Sequence, residues 1–427
     1  MDSNTFLIIA IVAIVAQSFL LFLALFEPGL DYKISHPASC PPDSEEFIRI
    51  IEALTDAQVT RRSSIEVFTN GENYYEAELE ALRRAKHNIN LEAYIFQKGR
   101  VADEFVKVLT ERARAGVQVN LVLDAIGSFA TWDSYTAELR AVGGRVCWYH
   151  PFKWHTLARI NNRTHRELII VDGRIGFIGG AGFADHWRYP VKKHPRWRDS
   201  MFRVEGEAVA HLQATFAENW LEASGEILAH KDFFPVNSES EHLTPSLIVN
   251  SSPSAGRSTR ARILFQMLLA SAQESVLITT PYFLPDHSAR AEMVRAIKER
   301  GVKIQIVVPG KKSDHALTRN SSRRLYGELL AAGAKIYEYN PTMMHAKTLV
   351  IDGMWSVIGS TNFDNRSFGL NDEVNLAACD EKLAARITED FDRDRDSSSA
   401  VNYEEWRRRS IFERAHEFFG MLLERQQ

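Results

Sequence analysis

The chain has 427 residues, 45% hydrophobic and 25% charged, with a formal net charge of −4. This length predicts two or three domains, and the composition excludes a mainly disordered, collagen-like or multi-span membrane protein. The acidic balance argues against a globally basic nucleic-acid binder. Cys40, Cys147 and Cys379 form neither a disulfide framework nor a C-x-x-C pair, and support no structural zinc site.

The first element is an apolar run. Residues 6–26, FLIIAIVAIVAQSFLLFLALF, carry no charge, and only Gln17 and Ser18 are polar. A helix of this length just crosses a hydrocarbon core of about 30 Å. A cleaved signal peptide is the competing reading. Against it, MDSNT lacks Lys and Arg, the run exceeds a signal core of about 7–15 residues, and no small-x-small site follows. The expectation is a retained membrane anchor over 1–32. Lys33 is the one basic residue within about 20 positions of the run, which favours a cytoplasmic body.

The body is an internal duplication. LRAVGGRVCWYH (139–150) matches LLAAGAKIYEYN (329–340), and RAGVQVNLVLD, ending at Asp124, matches ERGVKIQIVVP, ending at Pro309. INLEAYIF, ending at Phe96, matches VLITTPYF, ending at Phe283. In each copy a helical segment precedes an apolar strand, and a second helix leads through Gly116 or Gly301 into the next strand. Alternating helices and β-branched strands predict α/β units on a largely parallel sheet. The copies span 65–230 and 245–400. Residues 237–259, rich in Ser, Pro and Asn, read as the linker between them.

Each copy contains one His-centred hairpin. The second, HAKTLVIDGMWSVIGSTN (345–362), turns at Asp352-Gly353. With that pair at the turn, Ile351 faces Met354, His345 faces Ser360 and Lys347 lies opposite Ile358. His345 and Lys347 are two apart and project from one face, together with Ser360 and Asn362. That patch is a nucleophile or acid surrounded by donors for an oxyanion. Asp352, seven residues from His345, is expected to shape the turn. The first copy, HRELIIVDGRIGFIGGAG (165–182), turns at Asp172-Gly173 and keeps the His–Asp spacing.

These tandem motifs, 180 positions apart, resemble the phospholipase D superfamily, whose signature H-x-K-x4-D is followed by G-[SG]-x-N. The stretch GSTNFDNRSFGLNDEVN (359–375) and the N-terminal apolar segment are similar to bacterial cardiolipin synthases. The resemblance implies two phospholipase D-like α/β domains packed as a pseudo-dimer, preceded by one transmembrane helix and followed by a helical tail over 401–427. It implies that one histidine attacks phosphorus to form a phosphohistidine, while the other protonates the leaving alkoxide. The family pattern favours His165 as nucleophile and His345 as acid/base, although the residues themselves do not decide. Lys347 and Asn362 would hold the phosphoryl oxygens with Ser360 in support, and Asp172 and Asp352 complete the catalytic motifs. The family places an acid downstream of each motif: Asp199 for the first half and Glu373 for the second. Neither metal nor cofactor is implied. The implied reaction joins two phosphatidylglycerol molecules into cardiolipin and glycerol at the inner cell membrane, without nucleic acid. A hydrolytic phospholipase D uses the same residues with water as acceptor.

The first half departs from the signature. Glu167 replaces the motif lysine, while Gly180 and Gly182 replace Ser360 and Asn362. The glycines suggest backbone donors. A Glu167 carboxylate on the His165 face would repel phosphate and raise the His165 pKa, so restoring lysine is expected to speed turnover. The open readings are a pseudo-half-site in a lipid-binding pseudoenzyme, an altered residue, or compensation by HWRYPVKKHPRWRDSMFR (186–203), with six Lys or Arg and one acid. At the C-terminus, residues 404–424 combine helical apolar spacing with three consecutive arginines. They fit packing on the body or contact with an anionic membrane.

Overall fold

The computed structural model describes residues 3–26, 32–35, 38–152, 161–191, 194–236, 244–252, 260–410 and 413–414. The duplication appears as two sheets of matching strand order. In the first, the order is Ser63–Thr69, Ser200–Gly206, Ile175–Gly179, Leu168–Val171, Asn88–Ala93, Gln118–Asp124 and Arg145–Tyr149. In the second, the equivalent order is Ser246–Ser251, Asn371–Cys379, Trp355–Gly359, Thr348–Ile351, Ser275–Thr279, Lys303–Pro309 and Lys335–Tyr339. Val59–Thr60 and Ser398–Ala400 extend its two edges.

Parallel pairing is confined to the last three strands of each series. The other ladders in the two series are antiparallel, because each motif enters the sheet as a hairpin. The expected largely parallel sheet is therefore corrected to a mixed one. The linker reading is also corrected in part. Ser246–Ser251 is a strand paired along its whole length with Asn371–Cys379. Residues 237–243 and 253–259 of that join lie outside the described residues.

Helices Gly71–Arg84 and Arg100–Arg114 cover the outer face of the first sheet around Leu79, Phe105, Ile89 and Leu121. Helices Arg260–Ser271, His287–Arg300 and Ala316–Ala332 cover the second around Leu268, Met293, Ile278 and Ile306. The inner faces share a third core. Leu168, Ile170 and Ile178 of the first sheet join Leu277, Val307, Ile358 and Leu376 of the second, with Phe216 and Phe391 from helices Ala208–Ser224 and Glu381–Asp396. The halves thus close on each other through apolar burial.

The chain also wraps. Helix Glu45–Thr55 precedes the first sheet in sequence, yet packs Phe47, Ile48 and Ile51 into the second half's core. The Trp355 indole donates to Pro42 O at 2.7 Å, fastening the same segment. The backbone of Ser3–Phe26 is helical, and Phe6, Ile9, Val12, Val15 and Phe19 along it are more than half exposed. Its side chains are described from 4 to 19, and among the described residues no helix is long and apolar enough to cross a membrane. In the tail, Trp406 of helix Tyr403–Arg407 packs on Gly327 and donates to Arg323 O at 2.7 Å. Residues 411–412 and 415–427 of the predicted tail helix lie outside the described residues.

The wrap predicts an asymmetric response to truncation. Deleting residues 1–31 leaves these contacts intact. Deleting through residue 62 removes Phe47 and Ile51, each contributing at most about 1.5–3 kcal/mol by burial, and bares the Ser246–Ser251 edge. Thermal unfolding of the two deletions should show a large Tm loss in the longer one only. Equal Tm values would mean that the wrap is dispensable.

Candidate active site

The hairpin turns place Asp172 and Gly173 at φ 54° and 60°, and Asp352 and Gly353 at 52° and 64°. Two consecutive left-handed residues are what an Asp-Gly turn supplies. The register differs from expectation by one. Ile351 pairs with Trp355, not Met354, and Ile358 pairs with Thr348, not Lys347. Burial sets this register: Ile351 and Trp355 both lie in the second core.

The motif aspartates, grouped with the catalytic residues by the resemblance, hold the hairpin turns, as expected of Asp352. Asp172 accepts from the amides of Lys86, His87 and Asn88 at 2.9, 2.7 and 2.9 Å. Asp352 accepts from those of Gln273, Glu274 and Ser275, each at 2.8 Å. Each carboxylate ties its hairpin turn to the start of the neighbouring strand.

The acids that touch the imidazoles cross between halves. His165 Nδ1 lies 3.1 Å from both Glu373 carboxylate oxygens and 3.1 Å from Ser360 O. His345 Nδ1 lies 2.7 Å from Asp199 Oδ2. Assigning each acid to its own half is therefore corrected: Glu373 serves the first histidine and Asp199 the second. Backbone pairing explains the crossing. Arg163 and Thr164 pair with Asn371 and Asp372, and His165 N donates to Asp372 O at 2.8 Å. In the opposite sense, Arg198 bridges Met344, and His345 N donates to Arg198 O at 2.7 Å. Each motif enters its own sheet after crossing the strand that carries the other half's acid.

Lys347 Nζ lies 3.2 and 3.3 Å from the His345 ring nitrogens. Burial first, and this ammonium second, hold the His345 imidazole below its ordinary pKa against the pull of Asp199. Burial also opposes the charge of Asp199, yet His345 and Lys347 keep its carboxyl below the usual range. The Trp187 indole donates to Asp199 Oδ2 at 3.0 Å, and Ser200 N donates to Oδ1 at 2.8 Å. Trp187 and Trp197 wall His345, with ring centroids 5.4 and 5.3 Å away. Tyr94 packs edge-on to His165 at 5.3 Å. Sequence reasoning missed all three aromatics. The only available signal was tryptophan on either side of a basic loop, close to Asp199.

Ser360 Oγ donates to Glu373 Oε2, and Asn362 is buried beside it in the same segment. Gly180 and Gly182 leave space at the site. A Cβ on Gly180 would fall 2.8 Å from Lys347 Nζ, and one on Gly182 would fall 3.0 Å from Glu167 Oε1. Glu167 is itself buried, and its Oε1 accepts from Tyr94 N and Ile95 N at 3.2 and 3.3 Å. Burial pushes its carboxyl well above the ordinary range, against those two amides and Lys347. Burial therefore works against the charge that the expected repulsion requires, and two backbone amides already engage Oε1. The basic run supplies no compensating donor among its described arginines. Arg188 pairs with Glu104, Arg196 with Glu72, Arg198 with Asp394 and Arg203 with Glu205.

Two substitutions test these readings. Glu167→Gln retains an acceptor for Tyr94 N and Ile95 N, so stability should stay within about 1 kcal/mol and turnover within a few-fold. Glu167→Lys strips both amides and buries a second ammonium, which should cost about 2–5 kcal/mol in chemical denaturation. Faster turnover in the lysine variant would show that Glu167 obstructs phosphate. Asp352→Ala should cost about 1–3 kcal/mol while the folded variant keeps its turnover within a few-fold. A hundredfold rate loss at full folding, in the same steady-state assay, would restore a catalytic role.

A family model described as "Cardiolipin synthase, PLD-like domain" matches residues 79–220 and 265–395, the two halves separately. The chain is 32% identical over 381 residues to "Cardiolipin synthase 2" of Bacillus anthracis, covering 89% of this chain and 74% of that protein. It is 32% identical over 392 residues to "Cardiolipin synthase" of Geobacillus kaustophilus, covering 90% and 76%. The fold is similar to the phosphatidylserine synthase of Haemophilus influenzae, with TM-score 0.69 at 14% identity over 89% of this chain and 99% of that one. Paired histidine hairpins, the doubled fold and these relatives agree: the chain belongs to the cardiolipin synthase family of the phospholipase D superfamily.

Proposed function

We propose that the chain is a phosphatidyltransferase that joins two phosphatidylglycerol molecules into cardiolipin and releases glycerol. The observation that carries this is the pair of imidazoles, each held at Nδ1 by a carboxylate of the opposite half. Holding Nδ1 turns Nε2 of each ring toward the chemistry, with Lys347 Nζ 3.3 Å from that of His345. One Nε2 attacks phosphorus, forming a P–N bond as the P–O bond to the terminal glycerol breaks. The other imidazole gives its proton to the departing alkoxide. It then takes the proton from a hydroxyl of the second phosphatidylglycerol, whose oxygen displaces the histidine and restores a phosphodiester. The family pattern favours His165 in the first role and His345 in the second. Lys347 stands beside His345 as the cation for the phosphoryl oxygens.

The N-terminal helix supports action at a membrane. Its 24 residues carry no Asp, Glu, Lys or Arg. Its exposed apolar side chains suit an acyl layer better than water. Lys33 on its C-terminal side favours a cytoplasmic body, on the inner cell membrane.

Purified protein incubated with phosphatidylglycerol vesicles should yield cardiolipin and glycerol. Phosphatidic acid as the main product would make the chain a hydrolase, and no lipid turnover would make it a pseudoenzyme. His345→Ala should lose about 10²-fold or more, because one imidazole cannot be both nucleophile and leaving-group acid. Retention of a tenth of the wild-type rate would sink the two-histidine mechanism.

A further inference from the structure

Large apolar side chains stand in solvent at one rim of the site. Ile126, Phe129 and Trp132 are 46%, 71% and 71% exposed, and Phe152 is 76% exposed. They follow Gln118–Asp124 and Arg145–Tyr149, at the carboxyl ends of adjacent parallel strands. Tyr94, the neighbour of the His165 ring, follows Asn88–Ala93 at the same edge.

The loop 125–132 is clamped from beneath. Ser128 and Thr131 are buried. Ser128 Oγ accepts from Phe96 N at 2.9 Å and donates to Tyr94 O at 2.8 Å, while Thr131 Oγ1 donates to Phe96 O. Asp124 Oδ1 accepts from Ile126 N and Gly127 N at 2.8 and 2.9 Å. A Cβ on Gly127 would fall 2.2 Å from Tyr94 O, so the loop lies directly on the residue that packs against His165. Its small polar side chains point inward and its large apolar ones outward. Large apolar side chains gathered at one edge of the site are the mark of an interaction surface.

Across the site, the loop 310–315 follows Lys303–Pro309 at the equivalent edge of the second half and leads into helix Ala316–Ala332. Its Asp314 accepts from Tyr282 OH at 2.8 Å, and its charge is felt by His345 and Lys347. This loop exposes Lys311 and Lys312, the latter with Nζ also donating to Pro341 O at 2.6 Å, and Leu317 in the first turn of the helix is 40% exposed. Aromatic tips on one rim and lysines on the other match an acyl boundary and its anionic headgroups.

We propose that this rim seats on the surface of an anionic phospholipid bilayer, with Phe129 and Trp132 entering the acyl boundary and Lys311 and Lys312 meeting the headgroups. This rests on the lipid-transferring reading of the site, and adds how the site's mouth reaches substrate still embedded in the membrane. The N-terminal helix tethers the chain, and the rim orients it.

The test uses the full chain in vesicles of phosphatidylglycerol and phosphatidylcholine, with and without brominated acyl chains on the phosphatidylcholine. The chain has eight tryptophans, so the Trp132 signal is the emission difference between wild type and Trp132→Phe. Brominated chains should quench that difference about twofold. Phe129→Asp with Trp132→Asp should lower turnover of vesicle phosphatidylglycerol about tenfold more than turnover of a soluble short-chain phosphatidylglycerol. An unquenched difference places Trp132 in water or against a protein and overturns the proposal, whether or not the aspartate variant folds. Quenching without turnover of either lipid would sustain the membrane seat while the transferase reading fails.

Discussion

Each imidazole of the site is oriented by a carboxylate that the other half of the chain supplies. His345 meets Asp199 across 146 positions of sequence, and His165 meets Glu373 across 208. An imidazole that reacts at one nitrogen needs the other held, so neither half carries a working unit by itself. The same crossing strands hold the backbone. The 163–164 segment pairs with 371–372, while Arg198 bridges Met344. A slide of one sheet against the other would loosen both pairs together. The apolar core between the sheets therefore acts on chemistry directly, by fixing the distance between histidines and acids.

Burial also decides which of the site's charges survive. Asp199, Glu167, His345 and Lys347 all lie in an interior that penalises charge. Asp199 stays ionised because His345 and Lys347 are both within its reach. Glu167 is driven toward its neutral form, because two backbone amides and the more distant influence of Lys347 do not offset its desolvation. One interior thus turns two carboxyl groups in opposite directions. Lys347 is the ammonium beside His345, and burial lowers its pKa as well, against the pull of Asp199 and Glu373.

The duplication, the hairpin turns and the histidines were legible because each rests on local chemistry. Asp-Gly pairs favour left-handed backbone, and alternation places His345 and Lys347 on one face. The mates of the acids were not legible, because crossing depends on how two sheets dock and leaves no mark in spacing. Glu45–Thr55 was silent for a similar reason: a helix before the first domain packs on the second. The one-residue register difference came from burying Trp355 beside Ile351, a tertiary preference that turn residues alone do not encode. The basic loop misled because its arginines met acids brought near by the fold, while Asp199 and the tryptophans beside them formed the wall of the site.

The asymmetry between halves has a steric and a hydrogen-bonding logic. Lys347 folds against its own histidine and needs the room that Gly180 leaves. At the matching place in the second half, Ser360 fills that room and its hydroxyl is spent on Glu373. Glu167 needs acceptorless amides and finds them at Tyr94 and Ile95, with Gly182 leaving space for its carboxyl. The second half has Pro281 where the first has Tyr94, as the matching bridges Phe96–Phe183 and Phe283–Phe363 show. A proline has no N–H, so an acid at position 347 would lose one of those two donors. The acid is accommodated in the half whose backbone can hold it, and the lysine in the half whose neighbour leaves it space. The departure from the family signature is therefore coherent with its surroundings on both sides of the pseudo-twofold.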